Sequence, residues 1–137
     1  MQTIGEYEAA IRILLGDENR KRYSETMIHT AMRTALTEYS RFFPGRSEPP
    51  QNDPQQPAAE DGIPSAHAVE ICRGAAGYAM QIRAAAVTEV FGRRSEDVRS
   101  LLQQGETLCG RYRKTLAALS LTETGNPALP DGAGFPP

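Results

Sequence analysis

TIGEYEAAIRILLGDENRKRYSETMIHTAMRTALTEYS, residues 3–40, decides the fold. Thr3 and Glu6 stand three apart, the spacing at which a hydroxyl and a carboxylate satisfy each other's orphan amides at a helix start. Ile4, Tyr7, Ile11, Leu14 and Leu15 then recur at intervals of three and four, which predicts an apolar stripe ending at Gly16, a left-handed cap. Asp17 to Tyr23 is a polar turn. Ser24 is a good N-cap, with Glu25 placed to meet the helix dipole. Met27, Ile28, Ala31, Met32, Ala35, Leu36 and Tyr39 form a second stripe that Pro44 and Gly45 stop.

All ten prolines of the chain fall in two stretches, 44–64 and 127–137. Proline lacks the amide that helix needs and clashes with the preceding turn, so helix is confined to what remains. Residues 44–64 hold six of the ten among Gln, Asn, Asp and Ser. Such a segment buries too little apolar surface to offset its ordering entropy. A third helix is predicted from a cap at Ser65 to about Phe91, with Val69, Cys72, Ala76, Met80 and Val87 on its apolar face. A fourth starts at the cap Ser95 and carries Val98, Leu101, Leu102, Leu108, Cys109, Tyr112, Leu116 and Leu119. Its pattern dissolves after Ser120. The expected organisation is an all-α bundle of about four helices over 1–120, with a Pro-rich loop at 44–64 and an extended C-terminal tail at 121–137.

The third helix is unusually slim, with Gly74, Gly77 and runs of alanine, and the fourth carries Gly105 and Gly110. A glycine inside a helix costs about 1 kcal/mol relative to alanine. That cost is repaid where another backbone approaches, so these four glycines are read as the place where the two helices pack closely.

Composition bounds the chemistry. A chain of 137 residues suffices for one domain with one modest core. Only 7% of it is aromatic, and alanine supplies much of the apolar content, so contacts between subunits are expected to add stability. The net charge of −2 is not that of a nucleic-acid sink. No basic, apolar leader and no membrane-length apolar run are visible. Cys72 and Cys109 read as buried free thiols.

His29 and His67 are the only histidines, and neither has a cysteine or carboxylate partner at catalytic spacing in sequence. Zinc sites pair their ligands in sequence, so both are read as surface residues, and no metal and no cofactor is expected. Glu6, Glu8, Asp17, Glu18, Glu25 and Glu38 read as caps and solvated faces. No nucleophile elbow and no phosphate loop follows a strand, so no catalytic residue is assigned and enzymatic activity is not expected. Arg20, Lys21 and Arg22, then Arg93 and Arg94, then Arg111, Arg113 and Lys114 form basic clusters. The connection from Gly16 to Tyr23 is too long for a DNA-reading helix-turn-helix. The tail is either a free end or a segment that orders on a partner, with Leu121, Leu129 and Phe135 as anchors among prolines that lower the entropic cost of docking.

Arg12-Ile13-Leu14-Leu15-Gly16-Asp17, followed by the helix from Ala31 to Ser40 and by the alanine-rich VEICRGAAGYAMQIRAAA at 69–86, resembles the head-to-tail connector proteins of tailed bacteriophages and prophages. The likeness spans about residues 4–119. It implies a helical adaptor that forms a ring, usually dodecameric, under the portal and in the neck of the virion, after assembly in the host cytoplasm. The partners it implies are copies of itself, the portal protein and a stopper or tail-terminator protein, with DNA passing through the lumen. It also implies a tail that docks on the portal, here through Leu121, Leu129, Pro130, Phe135 and Pro136. Residues 44–64 depart from the apolar, strand-like sequence typical of the family there. Two other readings stand beside this one: a small cytoplasmic protein–protein adaptor of non-viral function, and a DNA-binding regulator.

Overall fold

A computed structural model describes residues 3–45, 62–91 and 96–124, with side chains placed in the helices except at 88–91, 96–97 and 123–124. The described chain is an all-α bundle: α1 (Ile4–Leu15), α2 (Glu25–Phe42), α3 (Ser65–Phe91) and α4 (Glu96–Thr124). Its caps follow from the sequence. The Thr3 hydroxyl accepts from the Glu6 amide at 3.2 Å, and the Glu6 carboxylate accepts from the Thr3 amide at 3.1 Å. Gly16 ends α1 with φ of 66°, and Ser24 caps α2 by accepting from the Met27 amide at 3.1 Å.

α3 is the spine of the bundle, touched by each of the other helices, while α1 and α4 do not meet among the described residues. It carries its neighbours by being thin. Ala68, Ile71, Cys72, Ala75, Ala76 and Ala79 form its buried face. Val69, expected on that face, is 40% exposed. Small side chains set the phase here, because they let the neighbouring helices come close, and the larger valine lies just off the seam.

The bulk that fills this thin framework is tyrosine. Tyr7, Tyr23, Tyr39 and Tyr112 are all buried. Tyr112 presses its ring on Gly74, where an added Cβ would lie 2.3 Å from ring carbon, and its hydroxyl donates to the Ala35 carbonyl at 2.7 Å. Tyr39 stacks on Phe43 with centroids 4.8 Å apart, and its hydroxyl meets His67 Nδ1 at 2.7 Å. His67 is therefore a core residue, 4% exposed, and not the surface histidine the sequence suggested. The Tyr7 hydroxyl is buried without a hydrogen-bond partner among the described residues.

Of the four glycines, Gly74, Gly77 and Gly105 sit at close approaches. Gly110 does not: among the described residues no neighbouring group lies within 4 Å of the place its Cβ would take. It stands five residues after Gly105, which turns it about 140° away round the helix. α4 also outlasts the expected end at Ser120 and runs to Thr124. No breaker intervenes before Gly125, and Thr122 returns its hydroxyl to the Ala118 carbonyl at 3.0 Å. Leu121 is thus the last large apolar residue of a helix and 72% exposed. The cap Ser95, Arg93 and Arg94, most of the 44–64 loop, and the remaining tail residues Leu129, Pro130, Phe135 and Pro136 lie outside the described residues.

Candidate assembly surface

The hexapeptide Arg12–Asp17 alternates between inside and outside. Arg12, Leu15 and Asp17 are buried, whereas Ile13 and Leu14 are 61% and 48% exposed. Leu14 was expected on the core stripe of α1. The helix instead buries Tyr7, Glu8, Ile11, Arg12 and Leu15, so its buried arc is rotated toward two ionic side chains and away from Leu14.

Asp17 organises the turn that makes this possible. Its carboxylate accepts from the backbone amides of Lys21, Arg22 and Tyr23 at 3.1, 3.0 and 2.9 Å. Arg12 reaches it at 3.2 Å and donates to the Tyr23 carbonyl at 2.8 Å with the same nitrogen. Burial pushes the Asp17 carboxyl up, but those three amides together with the Arg12 guanidinium outweigh it and hold the group below the usual carboxylate range. Arg22 folds back to donate to the Leu15 and Gly16 carbonyls at 3.2 and 2.9 Å, closing the C-terminus of α1. Arg20 takes φ of 61°, the left-handed conformation that a non-glycine residue adopts only when its surroundings impose it.

From the same arginine the network passes to the second helix. Arg12 Nε donates to Glu8 Oε2 at 3.1 Å, and the other oxygen of Glu8 meets His29 Nε2 at 3.1 Å. Burial raises the Glu8 carboxyl, and hydrogen bonds from Arg12 and His29 bring it below its ordinary value. Glu8 and Asp17, read as solvated acids, are therefore buried anchors. The signal for this was present: Glu8 and Arg12 are four apart on the buried side of α1, where ionic residues persist only when paired.

A second cluster joins α2, α3 and α4. Tyr78 donates to Glu38, and Arg113 approaches Glu38 at 3.7 Å and Tyr78 at 3.2 Å. Beside it a shallow open groove of about 460 Å³ runs past Thr30, Arg33, Thr34, Thr37 and Arg41. Thr34 and Thr37 give their hydroxyls to the carbonyls one turn back, at 3.0 and 2.8 Å. Of the basic residues, Arg111, Arg113 and Lys114 are exposed, and Arg83 covers the Tyr23 ring at 5.4 Å. Both thiols are buried and outside any disulfide, and burial pushes Cys72 up to about 12 and Cys109 up to about 11.

This geometry suits docking: a rigidly stapled turn that presents two adjacent aliphatic side chains to solvent. No family model, no curated protein and no solved structure matches the chain. No helix of the described chain is long and apolar enough to cross a membrane.

Proposed function

We propose that this chain is a structural, non-enzymatic subunit of a head–tail connector ring, joining a portal to a stopper or tail. The observation that carries the proposal is the exposure of Ile13 and Leu14, held outward by Arg12 and Asp17 on either side of them. Arg12–Asp17, one of the three segments that carry the resemblance to the connector family, is the segment that holds these two side chains outward. A monomer gains nothing from stapling two aliphatic side chains into water, whereas a neighbouring copy would bury them at roughly 0.8 kcal/mol per methylene. A slim core of alanine and tyrosine fits a subunit that draws further stability from its neighbours.

In this reading Ile13 and Leu14 face the next copy in the ring, and residues 125–137 dock on the portal through Leu129, Pro130, Phe135 and Pro136. Leu121, on the exposed end of α4, marks where the helix hands over to that segment. The test has two arms. The double variant Ile13→Glu, Leu14→Glu should keep its helical spectrum but fail to form rings with a cognate portal in negative-stain images. Truncation after Thr124 should keep ring contacts and lose portal capture. Rings and joined particles that persist in both variants would overturn the proposal. A non-viral adaptor would show partner binding that depends on these residues without any closed ring.

A further inference from the structure

Glu25 opens α2, and His29 follows one turn later, so a carboxylate and an imidazole share one face of that helix. Glu8 arrives opposite them from α1. One donor atom from each of the three lies within 4.8 Å of the others, and His29 Nε2 and Glu8 Oε1 are 3.1 Å apart. Zinc binds nitrogen and oxygen at about 2.0–2.2 Å, so donors of a tetrahedral site stand roughly 3.3–3.5 Å apart. Closing the remaining gap takes a rotation of Glu25, an exposed side chain at the helix start.

Two features separate this group from a casual meeting of charges. Arg12 holds Glu8 by Oε2 alone, at 3.1 Å, which fixes the carboxylate plane and leaves Oε1 aimed at α2. Supporting contacts of this kind are what orient ligands in metal sites. The charge is also unbalanced. Glu8, Asp17 and Glu25 bring three negative charges, and Arg12, the buried cation between Glu8 and Asp17, returns one. Arg22 stands 4.0 Å from Asp17 but is 55% exposed, so solvent screens it. Of these four formal charges a surplus of two negative ones remains for a divalent ion to offset.

We propose that Glu8, Glu25 and His29 form a binding site for a divalent transition cation of the zinc class, bridging α1 and α2. One imidazole with two carboxylates suits zinc better than magnesium, which prefers an all-oxygen octahedron. Three protein ligands leave the remaining coordination position open on the solvent side, where His29 is 34% exposed. The ion would clamp the first two helices together beside the Asp17 turn. This proposal does not depend on the connector reading.

The experiment is calorimetric titration of the full chain with zinc chloride alone, repeated with Glu25→Gln and His29→Gln, with thermal melting in parallel. Neither variant disturbs the core, since Glu25 is exposed and His29 lies at its edge. The other soft donors, His67, Cys72 and Cys109, are 4%, 1% and 0% exposed and do not compete in the folded protein. The expected result is one equivalent of zinc, a raised melting temperature, and affinity lower in each variant by more than the about tenfold that loss of a supporting contact costs. Cobalt should give a tetrahedral absorption spectrum, and magnesium no heat. Absence of saturable binding overturns the proposal, as does equal affinity in wild type and both variants. In either case the three side chains are an ordinary interhelical ion pair with a nearby acid.

Discussion

The carbonyl oxygen of Gly77 lies 2.7 Å from the place a Cβ would take on Gly105, and the Gly105 carbonyl lies 2.9 Å from the corresponding place on Gly77. The longest two helices therefore meet backbone to backbone. No rotamer change relieves such a contact, because the obstructing atom is main chain.

Gly77→Ala and Gly105→Ala should each destabilise by about 1–3 kcal/mol, the usual cost of overpacking. Gly110→Ala should do the reverse and stabilise by up to about 1 kcal/mol, since its surroundings are open and alanine is the better helix former. Urea denaturation of the three variants measures this. Equal midpoints for Gly77→Ala and Gly110→Ala would mean that the crossing is looser than described.

Asp17 sets an acid limit on stability. Its folded-state carboxyl is held below the ordinary value of about 4. A depressed group stabilises the fold above its unfolded value and loses that contribution as pH falls through the folded one. Asp17→Asn leaves Arg12 buried without one of its carboxylates and should cost about 3 kcal/mol at neutral pH. Melting curves of wild type and variant should differ widely above pH about 5 and begin to converge only as pH falls below about 4 toward the folded value. A gap that stays constant with pH would contradict the assignment.

Three buried tyrosines that look alike in sequence should respond differently to loss of the hydroxyl. Tyr39→Phe removes the partner of His67 Nδ1 and should cost about 1–3 kcal/mol. Tyr112→Phe frees a helix carbonyl that keeps its backbone bond and should cost about 1 kcal/mol. Tyr7→Phe deletes a hydroxyl that has no partner, so it should be neutral or stabilising. Chemical denaturation ranks the series, and a large loss for Tyr7→Phe would be inconsistent with an orphan hydroxyl.

Much of the bundle was readable in the letters. Thr3 with Glu6, Gly16 and Ser24 act as the caps their chemistry implies, and the α2 stripe is buried as spaced from Ile28 to Tyr39, with Met27 half-buried at its start. Pattern and structure part where residue size does not track depth. Leu14 and Val69 are large and apolar yet exposed, because the helices bury Arg12 and Ala68 in the neighbouring phase. The ionic core was hidden for a different reason. Glu8 and His29 are 21 residues apart, and only the turn built on Asp17 brings them together. A charge pattern along one helix cannot register a partner supplied by another. Gly110 shows the same limit, since a glycine marks a close approach only when its azimuth points at a neighbour.

The Asp17 carboxylate gathers three consecutive amides, from Lys21 to Tyr23, while Arg12 locks the Tyr23 carbonyl from the other side. The junction is thereby counted rather than merely spelled. Exposed positions such as Glu18 and Asn19 are open to exchange, but adding or removing one residue there would put every amide out of register with its acceptor at once. A change of length in this segment should therefore cost the fold far more than a substitution at either exposed position.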